Sequence, residues 1–332
     1  MKKNYFALSS AILLFACASC GISNNKSASQ QTEETAVVKA PDFDADSAYN
    51  YVKAQVGFGP RMPNTKKHAE CGDYIAQKLA ATGAKVTNQY ADVIAYDGTV
   101  LKSRNIIGSF SPENKKRVLL FAHWDTRPWA DNDKDESKHH TPILGANDGA
   151  SGVGALLEIA RQIGKKAPTI GVDIIFFDTE DYGTPQFYKG EDKEDSWCLG
   201  TQYWAKNPHV EGYSARFGIL LDMVGGKGAT FYRQPSDESA NFVVKKVWDK
   251  ANALGYGSYF INEEGGGVTD DHIFVNRITK IPCIDIIPTD KSNPQGGFGY
   301  FWHTMDDNMN VIDRSTLKAV GQTVLEVVYN EK

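Results

Sequence analysis

The chain is 332 residues long and carries a formal net charge of -5, an acidic balance that argues against nucleic acid as a partner. The first 19 residues contain two lysines and no acids, so their removal takes the charge from -5 to -7. From about Asp42 onward the length lies within the range of one large α/β domain, and no low-complexity break or internal repeat divides it.

The opening stretch has the three parts of a bacterial export signal: Lys2 and Lys3, an apolar run from Ala7 to Ala16, then small residues and cysteine. It is too short to span a bilayer as a permanent helix. Ser19 stands directly before Cys20, so residues 1–19 are expected to be a lipoprotein signal peptide and Cys20 the lipid-modified new terminus, with Cys17 as the second choice. An ordinary cleaved signal with incidental cysteines is the alternative. A single lipid-bearing terminus is a tether rather than a span, which makes an exported, periplasmic, membrane-anchored protein the expectation. Residues 20–41 are rich in Ser, Asn, Gln, Thr and Glu, cannot bury enough surface to order themselves, and read as a flexible linker to a single catalytic body over 42–332.

Within the body, "DSAYNYVKAQV" and "KKHAECGDYIAQKLAATG" read as helices, and "AKVTNQYADVIAY" with "TVLKSRNIIGSF" as an antiparallel hairpin at one side of a sheet. Four apolar runs follow: "RVLLFAHWD" (117–125), "VDIIFFDTE" (172–180), "FGILLDMVG" (217–225) and "IPCIDIIP" (281–288). Continuous β-branched and aromatic runs suit strands covered on both faces. Between and after them lie helical stripes, Val153, Leu156, Leu157, Ala160 and Ile163, then Leu317, Val320, Val324 and Val327 or Val328. The alternation predicts a three-layer α/β/α sandwich with a mixed, mainly parallel central sheet.

Ligands of such sheets collect beyond the carboxyl ends of the strands, and the acids and histidines of this chain fall there. His123 and Asp125 end the first run, Glu180 and Asp181 follow the second, and Asp222 ends the third. Asp148 precedes the Val153 helix, and His303 lies in "FWHTMDD" after the fourth run. Each has an ordinary explanation: Asp148 as a helix N-cap, His123 as a hydrogen-bonded core residue, Asp222 as a turn former. The adjacent carboxylates of Glu180 and Asp181 would repel each other in a dry site unless a cation or proton separates them. Oxygen ligands with one imidazole suit Zn²⁺, whose catalytic sites keep three protein ligands and one open position.

The motifs "AHWDT", "FFDTED", "LLDMVG", "TDDHI" and "FWHTMDDN", in this order from about Asp42 to the C-terminus, resemble the zinc aminopeptidase superfamily. Within it the chain is most similar to the glutaminyl cyclases, which convert an N-terminal glutamine of peptides or proteins to pyroglutamate with release of ammonia. Carried over, the resemblance implies one zinc per chain held by Asp148, Asp181 and His303, Glu180 as proton shuttle, and Asp222 and Asp270 as acidic partners in the pocket. It also makes Trp302, with Phe298, a wall against the substrate. The animal cyclases have Glu-Glu where this chain has Glu180-Asp181, a departure that shifts the metal relative to Glu180.

A zinc aminopeptidase is the competing enzyme, since His123 and Asp222 could hold a second ion with Asp148 bridging. Asp270 beside Asp222 speaks against it, because a hydrogen-bond network between the two acids would keep Asp222 from a second metal. A non-enzymatic peptide-binding lipoprotein is the third reading and predicts no metal. Cys71, Cys198 and Cys283 form no CxxC pair, so any one disulfide among them leaves a thiol free.

Overall fold

The computed structural model describes residues 38–191, 193–234, 238–291 and 297–332. The expected signal peptide and both anchoring cysteines lie outside the described residues. In chain order the elements are α1 (Ala45–Phe58), α2 (Lys66–Ala80), β1 (Lys85–Ile94), β2 (Val100–Phe110), β3 (Arg117–His123), α3 (Ala150–Lys165), β4 (Gly171–Phe177), α4 (Leu199–Lys206) and β5 (Gly218–Leu221). They continue with β6 (Phe231–Arg233), α5 (Asn241–Ala253), β7 (Phe260–Glu264), α6 (Asp271–Thr279), β8 (Cys283–Ile286) and α7 (Arg314–Tyr329).

The four apolar runs become β3, β4, β5 and β8, all parallel, and the β1–β2 hairpin joins them antiparallel through β2 and β4. The resulting sheet has the order β1-β2-β4-β3-β5-β8. Alternate side chains of each strand enter two separate apolar layers, as the period of two requires. Val118, Leu120, Ala122, Ile174, Phe176 and Ile219 pack with α1, α2, α3, α5 and α7. Leu119, Phe121, Ile175, Phe177 and Leu220 pack with Trp204 of α4 and Val275 of α6 on the other face. Each fully buried Val, Leu, Ile or Phe among them contributes roughly 1.5–3 kcal/mol.

The sheet carries three features that sequence periodicity did not anticipate. Helices α4 and α6 are only 8 and 9 residues long, too short for a distinct stripe. A separate two-stranded parallel ribbon pairs β6 with β7 and takes in Asn262–Glu264, just before a run of three glycines. The body also begins before Asp42: Val38 and Asn330 exchange two hydrogen bonds, and Gln322 donates to the carbonyl of Pro41 and accepts from the amide of Phe43. The last residues of the expected linker are therefore pinned to α7. Cys71, Cys198 and Cys283 are buried free thiols. Among the described residues no helix is long and apolar enough to cross a membrane.

Candidate metal centre and pocket

The parallel strands β3, β4 and β5 bring their carboxyl ends together, and with them His123, Asp125, Glu180, Asp181 and Asp222. Asp148 arrives from the loop before α3. Its side chain does not cap that helix: the N-cap is Gly149, at φ 91°, with no side-chain cap bond. A Cβ at Gly149 would meet the Asp125 carbonyl oxygen at 2.8 Å and His123 Cε1 at 3.1 Å, so glycine is what lets this turn press against β3. The Asp148 carboxylate is left to face the site. Its backbone amide and that of Asn147 donate to the carboxylate of Asp307, at 3.0 and 2.7 Å.

His303 enters from the loop after β8 and meets Asp148 and Asp181. Its Nε2 lies 3.5 Å from Asp148 Oδ2 and 3.3 Å from Asp181 Oδ1. Those spacings match the edge of a zinc tetrahedron, about 3.4 Å for bonds of about 2.0–2.1 Å. Asp181 Oδ2 is buried without any hydrogen-bond partner, and an orphaned carboxylate oxygen beside two other donor groups fits a bound cation. The three expected ligands thus converge, all buried, with one ligand atom of each within 4.8 Å of the others.

Asp125 and Arg127 shape this triad in ways the sequence did not reveal. The Asp125 carboxylate accepts the amides of both Glu180 and Asp181, at 3.1 and 3.2 Å, fixing the turn that carries the two acids. Arg127 forks onto Asp131 at 2.7 and 2.6 Å and reaches Asp181 Oδ1 at 3.4 Å. Asp131 Oδ1 in turn stands 3.6 Å from His303 Nδ1, the orientation a ligating imidazole needs from a supporting carboxylate. Trp302 stacks on His303 at 3.9 Å between ring centroids. The only available signal for Arg127 was its place just past the "AHWDT" strand end.

His123 holds the opposite side. Its Nε2 lies 3.0 Å from Asp148 Oδ1 and 3.2 Å from Asp222 Oδ1. Burial alone would lower this imidazole, but Glu180, Asp125, Asp148 and Asp222 hold it well above the ordinary histidine value. His123, Asp148 and Asp222 form a second group of metal-holding geometry that shares Asp148 with the first.

Behind the pocket Asp270 caps α6 by accepting the Asp271 amide, and it converges with His272 and with Asp285 of β8, whose two buried carboxylate oxygens have no hydrogen-bond partner. Asp222 faces His123, with 3.2 Å from its Oδ1 to Nε2. Burial, then the Asp222 charge, pushes Asp270 up to about 7. Burial pushes Asp222 up to about 6 and lowers His272 beside them to about 3.

Glu180 stands at the floor of a cavity of about 430 Å³. Burial beneath that pocket raises its carboxyl well above the usual range, with Asp181 and Asp270 adding to the effect and His123 opposing it. Its side chain is 14% exposed, so the group is desolvated by the pocket wall yet open to whatever fills the cavity. The expected Trp302 and Phe298 line that cavity with ring centroids 4.9 Å apart, and Trp197, Met223, Val268 and Ile287 complete the apolar wall. The latter four come from strand ends and irregular segments that leave no pattern in the sequence. Backbone strain gathers here too: Thr179, Cys198, Met223 and His303 are four of the seven non-glycine residues with positive φ among those described.

A mainly parallel sheet that gathers buried acids and histidines beyond its strand ends has the ligand site of an α/β enzyme. The chain belongs to peptidase family M28, whose family model matches residues 105–328. It is similar to the glutaminyl cyclase of Bacteroides thetaiotaomicron solved with N-acetylhistamine bound: 67% identity, 88% of this chain and 100% of that one, TM-score 0.86. A leucine aminopeptidase precursor from the same species is 66% identical over 89% of this chain and 100% of that one, also at TM-score 0.86. The glutaminyl-peptide cyclotransferase of Drosophila melanogaster is 27% identical over 283 residues, covering 77% of this chain and 73% of its own length.

Proposed function

We infer that this chain is a glutaminyl-peptide cyclotransferase that closes the N-terminal glutamine of peptides or proteins to pyroglutamate and releases ammonia. The observation that carries the reading is the pocket itself: the desolvated acid Glu180, beside Asp222 and Asp270, lines a small cavity walled by Trp197, Val268, Ile287, Phe298 and Trp302. Nucleophile and electrophile already sit in one residue, so the walls need only fold the side chain back and exclude the water that would divert the reaction to hydrolysis.

In the reaction the α-amine attacks the γ-carbonyl carbon, a C–N bond forms to close the ring, and the bond to the side-chain nitrogen breaks. Glu180 takes a proton from the α-amine and returns it to the departing nitrogen, which leaves as ammonia. Its elevated proton affinity suits a group that must both accept and donate near neutral pH. Asp222 and Asp270 line the same cavity and offer carboxylates to the substrate's N-terminus. Asp148, Asp181 and His303 would hold one zinc, which supplies Lewis-acid polarisation of the γ-carbonyl.

The reading extends to the N-terminus. A lipid on Cys20 holds the mature enzyme at the membrane outside the cytoplasm, with the polar segment after it as a tether; the support is the order of Lys2, Lys3, the apolar run and Ser19-Cys20.

The aminopeptidase alternative keeps one specific observation in its favour, the His123, Asp148 and Asp222 group that could take a second ion. Incubation with a glutamine-initiated dipeptide, followed by mass spectrometry, separates the two. The expected product is the intact dipeptide lighter by one ammonia. Free glutamine and the free second amino acid would overturn the cyclase reading.

A further inference from the structure

The segment that carries Glu180 is gripped by the start of α4. The amides of Cys198, Leu199 and Gly200 donate to the carbonyls of Glu180, Thr179 and Asp178, at 3.1, 3.0 and 3.1 Å. A Cβ at Gly200 would sit 2.1 Å from the Asp178 carbonyl oxygen, so the two strips of backbone touch. Cys198 itself caps α4 in the left-handed region, at φ 54° and ψ 37°, where glycine would be the unstrained choice. Its side chain makes no cap bond to the helix. It points the other way, with Sγ 3.4 Å from Glu180 Oε1.

We propose that Cys198 is a positioning residue for Glu180: its thiol donates a hydrogen bond to Oε1 and fixes the rotamer from which the carboxylate exchanges protons with the substrate. The thiol reaches Oε1 at 3.4 Å, whereas His123 Nδ1, at 3.7 Å from Oε2, lies beyond hydrogen-bond reach. The sulfur is fully buried, and burial together with Asp271 and Glu180 keeps the thiol protonated, hence a donor. Behind it stands Asp271, an acid the reaction does not use. Thr201 Oγ1 donates to Asp271 Oδ1 at 2.6 Å, while Asp271 Oδ2 is buried without a hydrogen-bond partner, which leaves the thiol proton to Glu180. The residue that strains the cap is thus the one that aims the acid–base group.

The proposal rests on Glu180 being the proton shuttle, and its test includes a measurement independent of turnover. In the full-length enzyme, Cys198→Ala should lower kcat about 3- to 10-fold, the range one modest hydrogen bond commands, with KM for a glutamine dipeptide and zinc content unchanged. Cys198→Ser restores a donor at the same position and should recover kcat to within about twofold of wild type. Equal losses in both variants, or an unchanged kcat in Cys198→Ala, would overturn the proposal. The infrared S–H stretch supplies the second readout. The band absent from Cys198→Ser identifies the Cys198 thiol; it should lie below the free-thiol position and move back towards it in Glu180→Gln, whose amide oxygen is a weaker acceptor. A Cys198 band at the free-thiol position sinks the contact, even in a protein that proves not to cyclise glutamine, and it decides the matter should Cys198→Ala fail to fold.

Discussion

Replacing Glu180 by glutamine separates metal binding from proton transfer, because the amide keeps the size and shape of the carboxyl but cannot accept a proton from the α-amine. The surrounding geometry sets what else should change. Asp125 holds Glu180 and Asp181 through their backbone amides, so the substitution leaves the turn and the Asp181 carboxylate where they are. Zinc occupancy should match the wild type. Stability should not fall, since the wild-type carboxyl is a desolvated group beside Asp181 and Asp270, whose charges disfavour its ionised form. The chemical step is another matter. General acid–base catalysis contributes about 100- to 10,000-fold, which at about 1.36 kcal/mol per decade is roughly 2.7–5.4 kcal/mol of transition-state free energy. The assay is ammonia release from a glutamine dipeptide under saturating substrate, with zinc measured on the same sample. Turnover near the wild-type rate would refute the shuttle, and loss of zinc from the variant would refute the claim that the turn is held through its backbone rather than through the Glu180 side chain.

Other outcomes can be measured at the metal centre and at the N-terminus. The purified body should bind one zinc per chain, and His303→Ala, which removes one of three ligands, should lower metal affinity by at least about 100-fold, with activity falling in step; two tightly held zincs per chain would favour the two-metal aminopeptidase. At the other end of the chain, a palmitate analogue fed to cells should label the wild type and not Cys20→Ala, whereas labelling lost only in Cys17→Ala would move the anchor to that residue.

The sheet was legible because β3, β4, β5 and β8 are buried on both faces and therefore read as unbroken apolar runs. The triad was legible for a related reason: Asp181 follows one of those runs directly, and Asp148 and His303 sit in short polar breaks next to predicted elements. What the sequence hid is cooperative. Asp125 was visible at a strand end, but its grip on two amides depends on β3 and β4 lying side by side, a fact of pairing rather than of pattern. Asp285 lay inside a run read simply as apolar, where a lone acid among isoleucines was the overlooked sign of a buried polar partner. Trp197 and Val268 reach the pocket from irregular segments, and no periodicity marks such residues.

The double grip of Asp125 has a consequence for how this enzyme could change over time. One carboxylate sets the height of both Glu180, the proposed proton shuttle, and Asp181, the proposed zinc ligand, so the two cannot be tuned apart by altering their common support. A lesion at Asp125 would degrade metal retention and turnover as a single phenotype, and a compensating change would have to repair both together.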